Sequence, residues 1–261
     1  MTYLDGLLES RRVSVERAKA ERPLAGVKAA AQGAGPRRDF ARAVVSSARP
    51  SIIAEFKRAS PSAGPIAAEA DPRSVAMAYE RGGAAALSVL TEPERFHGSF
   101  DDLRAARSAT SLPVLCKDFV IDDYQIWEAA ANGADAILLI VAAMSPSELR
   151  TRIALVIEAG MTPLVEVHDE RELETAIGAG APVIGVNNRD LRTFVVDAST
   201  AIRLRTRIPK GIVTVAESGY RTAGDLAACG GAGYDAVLIG EALMRDADPA
   251  NALSNLRGVA R

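Results

Sequence analysis

The chain has 261 residues, 48% hydrophobic but only 5% aromatic, which is enough aliphatic material for one large core and close to the ~250 residues that a single α/β barrel takes. Its 31 Lys and Arg against 33 Asp and Glu leave a formal charge of −2 with no long run of either sign, which excludes nucleic acid or an anionic membrane as a bulk electrostatic partner. Cys116 and Cys229 share no C-x-x-C or Cys/His spacing, and no apolar run approaches the ~18 residues of a membrane span, so a disulfide framework, a zinc site and a spanning helix are excluded as well.

The opening "MTYLDGLLESRRVS" meets charge within five residues and lacks an apolar core with a small-residue cleavage site, so no signal peptide is expected and a cytoplasmic location is. The stretch "YLDGLLESRRVSVERAKAERP" reads as an amphipathic helix, an extension packed over one end of the main body. Eight short apolar runs come next: "SIIAEFK" (51–57), "ALSVL" (86–90), "PVLCKD" (113–118), "AILLIV" (136–141), "PLVEV" (163–167), "VIGVNN" (183–188), "IVTVAES" (212–218) and "AVLIG" (236–240). Near-continuous apolar runs of this length mark strands buried on both faces, the condition of a parallel sheet covered by helices.

Between the runs lie amphipathic stretches predicted as helices, at 71–82, 121–133, 145–160 and 169–180, several opening on Asp, Ser or Ser-Pro as helix starts do. "RGGAAAL", "NGADAIL", "GAGAPVI" and "GAGYDAV" put glycine just ahead of a strand, where a helix C-terminus needs a left-handed residue. Strand-then-helix units at roughly 20- to 35-residue spacing predict a (β/α)8 barrel with an N-terminal helical extension, with an open doubly wound sheet as the alternative. The Rossmann G-x-G-x-x-G is missing. The chain divides into an extension (1–50), a barrel core (51–245) and a helical tail (246–261) of one domain. "RASPSAGPIAAEAD" (58–71) is longer than an ordinary connection and has the character of a lid.

In such a barrel the chemistry sits where the strands end, and side chains alternate between interior and helices. If Phe56 faces the helices, Glu55 and Lys57 face the mouth. Lys117, Glu166, Asn187 and Glu217 interrupt four other strands at the same end. A buried lone charge is costly, so these groups should meet one another or a ligand, although any one of them alone is equally well a solvated strand end. "AESG" (216–219) and "IGEALM" (239–244) place small residues after the last two strands, a common phosphate-holding position, with a simple helix cap as the other reading of "GEAL".

With "IIAEFKRASPSAG", "LSVLTE", "KDF", "GADAILLIVAA", "LVEVH", "IGVNNRDLRTF", "VAESG" and "VLIGEALM" in this order, the chain resembles the indole-3-glycerol phosphate synthase family. The resemblance implies a carbon-carbon lyase that converts 1-(o-carboxyphenylamino)-1-deoxyribulose 5-phosphate to indole-3-glycerol phosphate, carbon dioxide and water. It implies a phosphorylated small molecule as partner, no cofactor or metal, and a monomer or weak homo-oligomer. Glu55 and Lys57 match the catalytic pair of the first strand, Lys117 the general acid, and Glu166 an acidic partner, while Asn187 and Glu217 organise the site. Ser218, Gly219, Gly240 and the backbone of Glu241 match the phosphate site; Ser60, Phe119 and Arg189 match further substrate contacts. Cys116 and Arg95 depart from the family pattern and bear on loop contacts. A phosphoribosylanthranilate isomerase, similar in barrel and phosphate site but typically using Cys and Asp, and a silent phosphate-binding subunit are the competing readings. His97 and His168 lack metal-site spacing and are expected in surface or supporting roles, and Cys116 as a core thiol.

Overall fold

The computed structural model describes residues 2–46 and 50–258; the outermost residues of the expected extension and tail, and residues 47–49, lie outside the described residues. Eight parallel strands close into a barrel: β1 (Ser51–Phe56), β2 (Ala86–Leu90), β3 (Val114–Lys117), β4 (Ala136–Ile140), β5 (Thr162–Val167), β6 (Val183–Asn187), β7 (Val213–Glu217) and β8 (Ala236–Ile239). Each pairs with its neighbours in sequence, and β8 returns to β1 with Ser51 opposite Ala236 and Ala54 opposite Ile239. No edge strand is left in this sheet, so the open doubly wound alternative falls. Each predicted run coincides with a strand to within one residue at either end.

The burial of every strand on both faces follows from closure. Ile52, Ala54 and Phe56 point outward into the layer shared with the helices, whereas Ile53, Leu115, Leu164 and Val215 point inward and fill the barrel. Cys116 faces outward with the first set, as a core thiol should.

The extension consists of α1 (Tyr3–Glu21), α2 (Leu24–Gly33) and α3 (Phe40–Ser46). Thr2 and Asp5 form a reciprocal capping box at the start of α1, and Leu4, Leu7, Arg11 and Val15 make one buried stripe. That stripe lies at the C-terminal mouth of the barrel. Arg11 Nε and Nη2 donate to Asp118 Oδ1 and Oδ2 at 2.8 and 2.9 Å, and the Tyr3 ring sits 4.2 Å from that of Phe194. At the opposite end Phe40 and Val44 close the floor beneath Ile53 and Leu115, Ser51 Oγ donates to Val44 O at 2.7 Å, and Arg38 Nη1 donates to Leu112 O at 2.6 Å. The expectation of a cover over one end is therefore corrected: the breaks at Pro23 and at Gly35-Pro36 let the extension reach both ends.

The outer layer contains α4 (Pro72–Gly82), α5 (Phe100–Ala109), α6 (Asp123–Ala131), α7 (Pro146–Glu158), α8 (Glu170–Gly178), α9 (Ser199–Arg205), α10 (Ala223–Ala232), α11 (Glu241–Met244) and α12 (Pro249–Leu256). Side chains of Asp71, Ser99, Asp122, Ser145, Asp169 and Thr222 cap first-turn N–H groups. The four strand-leading glycines, Gly83, Gly133, Gly180 and Gly233, all have φ between 82° and 92°, as helix stops require. α2 runs beside α6, which carries the extension from mouth to floor, and α12 packs on α4. Among the described residues no helix is long and apolar enough to cross a membrane. The 58–71 loop forms a two-residue ladder, Ala59–Ser60 against Gly64–Pro65, pinned by Arg58, which bonds Asp102 and the carbonyls of Ala68 and Ala70.

Arg11 and Asp118 are both buried, so removing one partner strands the other's charge. Arg11→Met is expected to lower unfolding stability by about 3 kcal/mol in urea titrations; a loss below about 1 kcal/mol would show that the ion pair does not anchor α1.

Candidate active site

Barrel interiors stack in layers of four side chains drawn from alternate strands. Ile53, Leu115, Leu164 and Val215 come from β1, β3, β5 and β7; two residues further on, the same strands present Glu55, Lys117, Glu166 and Glu217. The top layer of an aliphatic barrel is thus made entirely of ionisable side chains. The intervening strands make room for it: a methyl group on Gly185 of β6 would overlap Glu217 Oε1, and one on Gly240, just past β8, would overlap Glu55 Oε1.

The charges are paired across the barrel. Lys117 Nζ lies 3.1 Å from Glu166 Oε2 and 3.1 Å from Glu217 Oε2, and Lys57 Nζ lies 2.8 Å from Glu55 Oε1. Ser88 Oγ donates to Glu55 Oε2 at 3.4 Å. The Lys57 and Lys117 side chains are only 15% and 14% exposed, so a ligand can reach two largely desolvated ammonium groups. Burial disfavours the charge on Lys117, but Glu166, Glu217 and Glu55 outweigh it and raise its pKa. Burial likewise pushes the Glu166 carboxyl up, yet Lys117 and His168 overcome it and hold Glu166 well below the usual carboxylate range. For Glu217 burial wins: Lys117 opposes it, but the neighbouring Glu166 adds to it, and the pKa is raised.

These groups form one side of a cavity of about 390 Å³, a volume suited to a small metabolite. Every predicted site residue lines it: Glu55, Lys57, Ser60, Lys117, Phe119, Glu166, Asn187, Arg189, Glu217, Ser218, Gly219, Gly240 and Glu241. The opposite side is apolar, made by Leu90, Phe96, Phe119, Ile140, Leu191 and Phe194, with the Phe96 and Phe119 ring centroids 6.1 Å apart. The Glu92 carboxylate accepts the N–H groups of Glu94, Arg95 and Phe96 at 3.0, 2.7 and 3.0 Å. That turn directs Phe96 into the cavity and leaves Arg95 exposed. Arg95, flagged from the sequence as a departure, therefore lies outside the lining, and the neighbouring Phe96 was missed.

The third side is backbone. Ser218 and Gly219 both have positive φ, 68° and 90°, a conformation that costs a serine on the order of 1 kcal/mol. Asn188 holds the turn: its Nδ2 donates to Ser218 O at 3.0 Å and to Tyr220 Oη at 2.9 Å, while its Oδ1 accepts Ala201 N–H at 2.9 Å. Opposite, α11 starts from Gly240, whose carbonyl accepts from Leu243 and Met244, so the N–H groups of Glu241 and Ala242 have no partner within their own helix. The Glu241 carboxylate turns along that helix to Arg245, 3.1 Å away. Arg189 donates its N–H to Asn187 Oδ1 at 3.0 Å and Nη1 to Phe194 O at 3.2 Å.

His97 is exposed, as expected. His168 is not a surface group: burial disfavours its charge, but Glu166 and Glu172 outweigh this and push its pKa up to about 10.

A family model described as indole-3-glycerol phosphate synthase matches residues 4–256. Relatives named indole-3-glycerol phosphate synthase include one from Mycobacterium avium (strain 104), 51% identical over 98% of this chain and 93% of its own length, and one from Mycobacterium tuberculosis (strain ATCC 25177 / H37Ra), 49% identical with the same coverage. Among solved structures, a thiamine phosphate pyrophosphorylase from Pyrococcus furiosus aligns with a TM-score of 0.62 at 18% identity, over 84% of this chain and 96% of that one, and shares the fold.

The raised pKa of His168 ties stability to pH. With a folded value of about 10 above an unfolded value of about 6.5, its contribution is fully present below about pH 6.5 and is lost as pH rises through about 10. Urea unfolding of wild type and His168→Gln should differ most near pH 6, and the difference should shrink by at least about 1 kcal/mol by pH 10; a constant difference would contradict the ion pairing.

Proposed function

The chain belongs to the indole-3-glycerol phosphate synthase family, and from that premise we propose how its cavity carries out the family's reaction. The activity is ring closure, decarboxylation and dehydration of 1-(o-carboxyphenylamino)-1-deoxyribulose 5-phosphate to indole-3-glycerol phosphate, carbon dioxide and water, a carboxy-lyase step of tryptophan biosynthesis. The observation that carries the residue assignment is Lys117, held at 3.1 Å from both Glu166 and Glu217 in the charged layer.

In ring closure the aromatic carbon bearing the carboxylate bonds to the ribulose ketone carbon, and the carbonyl electron pair moves to oxygen. Lys117 gives that oxygen a proton. An alkoxide is a far stronger base than an amine, so the transfer runs downhill even from an ammonium whose pKa is raised, and the charge stabilises the oxygen as it develops. The carbon–carboxylate bond then breaks and returns its electron pair to the ring. Dehydration removes the new hydroxyl as water with a proton from Lys57, while Glu166 takes a proton from the adjacent carbon. Glu55 orients Lys57, and Asn187 and Glu217 organise the site around Lys117. The chemistry as written needs neither metal nor organic cofactor.

The apolar side takes the aryl ring. The phosphate goes to the backbone side, at Ser218, Gly219, Gly240 and Glu241 with Arg189 alongside; the diversion of the Glu241 carboxylate to Arg245 supports this, since it leaves the amides to meet the anion. Ser60 and Phe119 close around the substrate from the first and third loops. Neither cysteine lines the cavity, and Asp118 is bound by Arg11, which favours the lyase over an isomerase using Cys and Asp. The reading also includes one barrel domain with its extension and tail, acting in the cytoplasm as a monomer or weak homo-oligomer on a phosphorylated small molecule.

Growth of indole fluorescence on mixing protein with the carboxyphenylamino-ribulose phosphate reads this chemistry directly. Lys117→Met should fold and lose about 10²-fold or more in turnover; near-wild-type turnover would remove Lys117 as the acid. Lys117→Arg should also be poor, because arginine keeps charge but hardly donates a proton. Gly185→Ala should fold yet lower kcat at least about tenfold, since its methyl group displaces the Glu217 carboxylate from Lys117; unchanged kcat would show that the position of Glu217 is immaterial.

A further inference from the structure

Lys117 stands at equal distances from two carboxylates, 3.1 Å from Glu166 and 3.1 Å from Glu217. Only the contact to Glu166 is a hydrogen bond, whereas neither Glu217 oxygen accepts one, so Lys117 already favours Glu166 as the carboxylate of the two. His168 adds to that asymmetry, because its ion pair within the charged layer is with Glu166. The residue directly follows β5, its side chain is 8% exposed, and Nε2 lies 3.2 Å from Glu166 Oε1. On its other edge Nδ1 lies 2.9 Å from Glu172 Oε2, and the same carboxylate oxygen accepts the His168 backbone N–H at 2.8 Å. Glu172, on α8, is held in turn by Arg192 at 3.4 Å, which also lies 3.7 Å from Asp169.

A neutral imidazole has one N–H and one lone pair. Nδ1 makes a hydrogen bond with Glu172 Oε2, and Glu166 Oε1 lies 3.2 Å from Nε2 in an ion-pair contact outside hydrogen-bond alignment, so both edges of the ring adjoin a carboxylate. Two adjacent carboxylates favour the imidazolium. Its surroundings are the carboxylates of Glu166 and Glu172, with Asp169 and Arg192 beyond Glu172, and Lys117 and Glu217 beyond Glu166.

We propose that His168 is a positioning residue for the reaction assigned above: its imidazolium holds Glu166 as the carboxylate of the pair and leaves any shared proton on Glu217. Glu166 is then free to take the carbon-bound proton during dehydration, becoming the acid as the hydroxyl leaves as water with the Lys57 proton. Glu172 acts through His168 by keeping the ring charged and turned toward Glu166.

Two measurements test this. In wild-type protein carrying ¹⁵N-labelled histidine there are two imidazoles, those of His168 and of exposed His97. His168 should keep both nitrogens protonated from pH 6 to about pH 9; loss of the proton from either His168 nitrogen below about pH 8 would overturn the proposal. In steady-state turnover, His168→Gln should move the acid limb of kcat up by about one pH unit, the shift expected when a neighbouring cation is lost, with KM little changed. Glu172→Gln should move it the same way by less, and should add nothing to His168→Gln. An unmoved acid limb in folded Glu172→Gln and His168→Gln overturns the proposal while wild-type turnover leaves the reaction standing. Wild type that fails to convert the substrate would overturn the reaction itself, and this assignment with it.

Discussion

Charge buried in the top layer of an aliphatic barrel is the constraint around which the rest is arranged. Glu55, Lys117, Glu166 and Glu217 stand directly above Ile53, Leu115, Leu164 and Val215, in a place where the fold would ordinarily put another ring of branched side chains. An unpaired charge there would cost several kcal/mol, a large share of a domain's net stability. The cost is offset by mutual pairing, by Lys57 on Glu55, and by His168 behind Glu166. It also demands space, which Gly185 and Gly240 supply by having no Cβ. A glycine inside a strand, as Gly185 is, is intrinsically unfavourable; here it and Gly240, just past β8, are the condition for four long polar side chains to share one level.

The remaining elements keep that layer dry on one side and reachable on the other. α3 packs Phe40 and Val44 beneath the barrel interior, in one cluster with Ile53 and Leu115. α1 lies beside the mouth and is fixed to it by the Arg11–Asp118 pair, one residue from Lys117. Thr91 Oγ1 and the Phe119 N–H also bond the Asp118 carboxylate, at 2.8 and 2.7 Å. One buried carboxylate thus sets the backbone from which both Lys117 and the ring of Phe119 project. The two cavity sides, charged and aromatic, are held in register by the same group.

Much of this was legible in the sequence because two rules are nearly free of tertiary context. Apolar runs bounded by glycine locate buried strands, and alternation along a strand fixes which side chains share a face, so Phe56 turning to the helices placed Glu55 in the mouth. What was not legible depends on contacts between distant segments. The stripe Leu4, Leu7, Arg11 and Val15 predicts a helix, but nothing local says that Arg11 will find Asp118, 107 residues away. Phe96 enters the cavity because Glu92 caps its turn, whereas the family pattern of that loop pointed to the adjacent Arg95, which the turn leaves exposed. His168 and Asn188 were passed over or unremarked beside Glu166 and Asn187, since their partners, Glu172 and Ser218, come from other elements. The "HDERE" spacing did carry a signal: a histidine four residues before a glutamate across a helix start.

The central claim is that Lys117, Glu166 and Glu217 act as one unit. A double-mutant cycle in kcat between Lys117→Met and Glu166→Gln, followed by indole fluorescence, tests it most directly. If the unit is real, Glu166→Gln is severe alone and costs little more once Lys117 is gone, because residues that act together are strongly non-additive. Additive losses would mean that the two groups work separately, and the charged layer would then be an assembly of neighbours without a shared task.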